Sequence, residues 1–263
     1  LWIITGSQIL VVSMSNNPVP GAVPDQLPAD WLNTAARFSG RGVSTKAEDQ
    51  LIPLIYLLQK GSPQCDKRGN KYVQDAEPGD FFLRGDLRPI RSGVTGVEVQ
   101  PCEMRRLWVE FFPNRGGYVT EHDRPPGDLE SRISNENGIE KIIQVRRSNG
   151  NVIQDTRQFY VLIEGQPYAL PCKSTGHTFA REWTTYQNRL LHPATGNVLP
   201  AFAHRYLLTS TPVDGKKGNW FGLKFADRGP VSSAELETGN ALYEAVSRGK
   251  VRGEAPGLES EAA

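Results

Sequence analysis

The chain has 263 residues, long enough for one sizeable core or two small ones, and its 19 prolines and 26 glycines point to many turns and a β-rich fold with few helices. Three cysteines, Cys65, Cys102 and Cys172, are odd in number and widely separated, which excludes a disulfide framework and a zinc ribbon and fits a reducing cytoplasm. The formal net charge of +1 hides an uneven spread. Residues 140–228 carry 12 Lys and Arg against 6 Asp and Glu, whereas residues 1–139 carry 15 against 17 and residues 229–263 carry 3 against 6. A charge run of this kind is a solvated face unless other chemistry gathers on it.

Residues 1–13 are apolar but too short to span a bilayer, and they lack a basic leader and a small-residue cleavage site, so neither a signal peptide nor a membrane partner is expected. The polar, proline-rich run after Met14 points to a native start at that methionine. Residues 16–28 hold four prolines and little that can pack, and residues 1–29 read as a disordered arm. Asp30 is placed to cap a short helix through Trp31, Leu32, Ala35, Ala36 and Phe38, and one domain is expected over residues 30–250.

Residues 51–58 are apolar on both faces, and Pro53 disfavours a helix through them, so they read as a buried strand with a helix from Pro53 as the alternative. Residues 80–83, 94–99 and 105–112 are further strands, the last alternating Leu107, Val109 and Phe111 with Trp108, Glu110 and Phe112. Residues 120–158 are polar and turn-rich and read as an insertion, with Asn149-Gly150 suited to a hairpin turn. Residues 157–163 and 168–170 form a predicted hairpin about residues 164–167. After them Ser174-Thr175 caps a helix with the stripe Phe179, Trp183, Tyr186 and Leu190. Two strands, 203–209 and 219–226, are joined by a turn carrying Lys216 and Lys217. A second helix from Ser233 through Leu236, Leu242, Tyr243 and Val246 precedes an acidic, disordered tail at 251–263.

Catalytic motifs are scarce. Gly215-Lys216-Lys217-Gly218 lies between strands and lacks the spacing of a phosphate-cradling loop. Ser174 stands at a helix start, where a serine more often caps than attacks. Cys172 and His177 have no second close pair among His122, His192 and His204 to complete a metal site, so no cofactor is expected. Asp80, Asp86 and Glu98 are the enzyme-like pattern, carboxylates that could hold a divalent metal for phosphodiester cleavage, although Gln100 stands where such sites want a lysine.

Binding chemistry is better supplied. Single-stranded nucleic acid needs cations for its phosphates and flat π-faces for its bases. Arg181 and Arg189 flank the helix stripe; Arg205 and Tyr206 lie on one late strand, Lys216 and Lys217 at the turn, and Trp220 and Lys224 on the next strand. Trp108 and Lys173 complete the candidate nucleic-acid-binding set. Adjacent strand residues face opposite ways, so Trp220 and Phe221 cannot both be core in a one-sided sheet. The order of strands, helix and terminal hairpin predicts a β-rich α+β fold, an OB-like five-stranded barrel with insertions and two or three helices.

Three stretches carry a family resemblance: residues 53–59 with Ser62-Pro63 and residues 77–81, the strand 107–111, and residues 170–183 with Lys173-Ser174-Thr175. Across residues 50–245 the chain resembles a group of tailed-bacteriophage and prophage single-stranded DNA-binding proteins. The resemblance implies a non-enzymatic binder of single-stranded DNA with little sequence preference, acting in phage replication or recombination in the host cytoplasm. The acidic tail is similar to tails that recruit replication or recombination proteins, without their terminal bulky apolar residue. The rivals are a metal-dependent phage nuclease and a virion or assembly protein.

Overall fold

The structure, a computed structural model, describes Asp30, Arg37 and residues 51–113, 117–136, 139–215, 218–249 and 251–254, with the side chains of 131–144 outside that description. The chain divides into two units, Leu1–Ser44 and Thr45–Ala263, and the architecture below is that of the second. The predicted arm, most of the predicted first helix and residues 255–263 of the predicted tail lie outside the described residues, although Asp30 and Arg37 are both helical. The start of the tail expected to be disordered is ordered instead: Arg252 and Gly253 form a strand paired with Leu51 and Ile52, and Glu254 N donates to Ile52 O at 2.7 Å.

In chain order the elements are β1 (Leu51–Ile52), β2 (Ile55–Leu57), β3 (Phe81–Leu83), β4 (Ile90–Arg91), β5 (Val97–Phe111), β6 (Tyr118–His122), β7 (Leu129–Glu136), β8 (Ile139–Arg147), β9 (Val152–Ile163), β10 (Gln166–Lys173), α1 (Gly176–Gln187), β11 (His204–Gly215), β12 (Gly218–Pro230), α2 (Ser233–Ser247) and β13 (Arg252–Gly253). Eight strands make one sheet in the order β12-β11-β5-β9-β8-β7, with β6 added to β5 and β10 to β9. β2-β3-β4 form a second sheet, and β1 pairs with β13.

Turn chemistry sets the register of the central hairpin. Glu164 and Gly165 hold φ of 51° and 77°, the left-handed pair that a two-residue turn needs to match strand twist. β9 and β10 therefore pair from Ile163↔Gln166 through to Thr156↔Lys173. The polar stretch expected as an insertion is mostly strand. β7 and β8 pair along their whole length, and a turn at Asn149 and Gly150 delivers the chain into β9.

β5 corrects the strand count. The two strands expected at 94–99 and 105–112 are a single strand of 15 residues, and Pro101 does not end it. The register shifts between Pro101 and Glu103, and the β11 ladder stops at Val99, so the missing proline N–H falls at a bulge beyond the neighbouring strand.

Helix starts differ in their chemistry. α2 is closed by a capping box in which the Ser232 side chain accepts from Glu235 N and Glu235 accepts from Ser232 N, one residue before the expected cap. At α1 Thr175 is the N-cap and makes no side-chain cap, and the backbone supplies the turn as Ser174 O accepts from His177 N.

The main core lies between one face of the sheet, α1 and the β2-β3-β4 sheet. It holds Ile55, Phe81, Val99, Phe159, Val161, Leu170, Phe179, Trp183, Tyr206 and Leu208, among others. On the opposite face Tyr160 and Ala169 pack with Val246 of α2 and with Ile52 and Leu54. Coverage on both faces explains why β9 is buried continuously from Gln158 to Ile163 instead of alternating. A third, small cluster, Leu107, Val109 and Phe111, sits at the far end of β5.

Among the described residues no sheet closes into a barrel, so the five-stranded OB-like barrel is not formed as expected. The sheet nevertheless curls. In a flat sheet β9 and β12 would stand three strand spacings of about 4.8 Å apart, yet the Trp183 ring centroid lies 4.6 Å from Phe159 of β9 and 6.2 Å from Phe225 of β12. Closure between β10 and β12 is prevented by β10 itself. Its outward positions include Pro167 and Pro171, which have no N–H, and the N–H of Ala169 between them donates to Pro53 O at 2.9 Å. On the other edge Gln59 stands in for a strand: its Nε2 donates to Phe221 O at 3.0 Å and its Oε1 accepts from Phe221 N at 2.8 Å.

Candidate nucleic-acid interface

The gap between the β10 and β12 edges holds a cavity of about 450 Å³, within the roughly 300–1,000 Å³ of small-ligand sites. The end of β10 and the start of α1 contribute Lys173, Thr175, Thr178, Phe179 and Glu182. β12 contributes Trp220, Phe221 and Leu223, and the chain at and after β2 contributes Leu57, Leu58 and Gln59. Two of the ten candidate residues, Lys173 and Trp220, therefore line one cavity although 47 positions separate them in sequence.

Trp220 is half-buried and lies opposite Val213 in the β11–β12 hairpin. Its ring covers Gly215, where an added Cβ would overlap the indole, so the absence of a side chain there lets the ring lie against the turn. Lys224 is exposed and, by strand alternation, shares the Trp220 face. Lys173 is half-buried with its ammonium 5.4 Å from the Phe111 ring centroid. Lys216 and Lys217 fall between the Gly215↔Gly218 pair and lie outside the described residues.

The other candidates do not gather there. Tyr206 is fully buried, with the rings of Trp183, Tyr186 and Phe225 at 5.5, 6.1 and 6.1 Å, which corrects its assignment as a binding residue. Burial, with Asp227 and Tyr186 nearby, pushes its phenol well above the usual range. Trp108 is half-buried at the far end of β5, and the Arg106 guanidinium sits 4.9 Å from its ring centroid. Arg106 is held there by Asp155 at 2.9 and 2.8 Å, so that face of the indole is already taken. Arg205 pairs with Glu235 of α2 at 3.7 Å. Arg181 and Arg189 are exposed on and just after α1 and do not line the cavity.

The carboxylates of the nuclease rival are spent locally. Asp80 accepts from Gly93 N and Glu77 N, Asp86 from Arg91 and Arg88 N, and Glu98 lies 3.8 Å from Arg228. Among the described residues no group of three His, Cys, Asp or Glu side chains is gathered to hold a metal ion. All three cysteines are free thiols, and burial pushes Cys102 and Cys172 up to about 12, far from a reactive thiolate. His177, paired with Cys172 as a ligand candidate, places its Nε2 3.0 Å from Asp155 O.

Sequence reading missed Gln59, Thr175, Thr178 and Glu182. The last three recur at spacings of three and four on α1, a signal present in sequence but overshadowed by the apolar stripe. Gln59 acts through a contact 162 residues away, and nothing local announces it.

Over residues 51–254 the described chain is β-rich with two helices on an open sheet, and no helix among the described residues is long and apolar enough to cross a membrane; that is the class the geometry defines. The chain belongs to the Pam3 phage gp34-like protein family, whose profile matches residues 22–252. It is a protein of a phage family. No curated protein and no solved structure matches it.

Proposed function

We propose that the protein binds single-stranded DNA in the host cytoplasm during phage replication or recombination. The observation that carries this reading is the meeting of Lys173 and Trp220 on one cavity, with Lys224 on the face of the same strand as Trp220. Lys173, whose ammonium lies over Phe111, and the half-buried indole of Trp220 supply the cation and the flat face that phosphate and an unstacked base require. The curled strands β12-β11-β5-β9-β10 around α1 serve as an opened counterpart of an OB-like barrel. The acidic tail offers a recruiting segment for replication or recombination proteins. The test is Trp fluorescence and anisotropy with labelled oligo-dT, with and without magnesium. Saturable binding of intact DNA supports the reading; magnesium-dependent loss of the strand supports the nuclease instead.

A second reading, a virion or assembly protein, is favoured by one feature. β8 joins β9 through Val145 and Arg146 alone, so most of the β7–β8 ribbon pairs only with itself and is available as an arm toward a neighbouring subunit. Co-sedimentation with phage particles, together with absence of DNA binding at physiological salt, would favour this reading.

A further inference from the structure

We infer that Arg157, flanked by Arg106 and His177, forms a phosphate-binding site beside the start of α1. The site stands on its own geometry, and its assignment to the DNA backbone rests on the single-stranded DNA reading. Strand alternation puts Arg157 on the face of Phe159 and Val161, and its partner on β10 is Cys172, which lines the cavity. On β5 the residue directly opposite is Arg106. Side chains so placed share one face of the sheet, and like charges there repel.

The carboxylate beside them does not cancel both charges. Arg106 takes each oxygen of Asp155, through Nε at 2.9 Å and Nη2 at 2.8 Å. Arg157 makes no hydrogen bond or ion pair among the described residues, and its Nη1 is buried without a partner. The side chain as a whole is half-buried and still reaches solvent. α1 begins over the same place: a Cβ added at Gly176 would stand 3.4 Å from the Cys172 Cβ, and His177 Nε2 donates to Asp155 O at 3.0 Å. The first turn of α1 has no acidic residue, and the positive end of its dipole adds to the cationic side. Hydrogen bonding to Arg106, and after it the charges of Arg106, His177 and Arg157, outweigh burial and hold the Asp155 carboxyl below its usual range, so all three cations act on one spot. A guanidinium without a carboxylate of its own, next to a second guanidinium and a histidine, suits an anion with several acceptor oxygens. A DNA backbone phosphate and free inorganic phosphate share that chemistry.

The test follows the Arg157 Nε–H resonance of the wild-type protein. Inorganic phosphate should shift it saturably, chloride at equal ionic strength should not, and oligo-dT should shift it as well. In Arg157→Gln the salt slope of oligo-dT binding should shrink by about 0.7, one phosphate contact, whereas Arg157→Lys keeps the charge and the slope. If neither titrant moves the resonance while oligo-dT binds, the inference is overturned and the DNA reading stands. If inorganic phosphate alone moves it, the site belongs to a free phosphate; should oligo-dT then fail to bind at all, the proposed function falls while the site remains. A shift produced by an oligo-glutamate peptide and by neither phosphate source would overturn the inference and assign the cluster to an acidic protein partner.

Discussion

Trp183 is fully buried with Phe159 and Phe179 at ring distances of 4.6 and 5.3 Å, whereas Trp220 is half-buried at a cavity wall. Trp183→Ala should lower stability by about 3–5 kcal/mol, the cost of deleting a core aromatic. Trp220→Ala should cost well under half of that but lose about 1–3 kcal/mol of single-strand affinity. Melting curves and fluorescence quenching by oligo-dT separate the two, and a Trp220→Ala variant that melts far below wild type yet still shows quenching would contradict the stacking role. A third residue reports on pH. Burial pushes the Glu110 carboxyl up, but hydrogen bonds from Asn151, His122 and Arg147 and the Arg147 charge outweigh it and hold the group at about 2. Its folded value lies below the unfolded one of about 4.3, so its stabilisation is present above that pH and is lost as pH falls toward 2. The melting temperature should drop over that window. Glu110→Gln should lower the melting temperature at neutral pH, because His122, Asn151 and Arg147 lose their shared anion while Arg147 keeps Asp128 at 3.0 Å, and should flatten the acid slope.

At the scale of elements, the two sheet edges beside the cavity are kept apart by different means. β10 is blunted by prolines at outward positions and bonded once through Ala169, while β12 is held at Phe221 by a single side chain. Gln59→Ala should leave the Phe221 N–H and C=O without that partner, costing about 1–3 kcal/mol. Hydrogen exchange at the Phe221 amide should accelerate more than at Ala169, and equal protection in both proteins would show that Gln59 does not hold the edge. Much of this level was readable in sequence. The hairpins at residues 164–167 and 149–150, the helix after Ser174, the core position of Trp183 and the late β11–β12 pair all carry local turn or periodicity signals. The joining of residues 94–99 to 105–112 was not, because a bulge lets a strand pass a proline that sequence rules read as a break. Nor was the strand pairing within 120–158, where polar composition outweighed an alternation that only a partner strand makes meaningful. Tyr206 was misassigned because it follows His204 and Arg205, while its burial comes from α1 and β12 folding over it.

For the whole molecule, charge is organised by region while the net is +1, so binding to a phosphate chain should be local and sensitive to salt. The chain belongs to a phage protein family, and the cleft between the β10 and β12 edges is lined by both Lys173 and Trp220. Four cations, Lys216, Lys217, Lys224 and Arg181, lie on or near the hairpin and helix that frame this cleft in sequence. The most direct test is binding of labelled oligo-dT against duplex DNA of the same length across a salt series. Binding of the single strand should be tighter, with log affinity falling linearly in log salt at a slope of about −2 to −3, or roughly 0.7 per neutralised phosphate. Equal affinity for duplex, or no binding of either at physiological salt, would contradict the central claim.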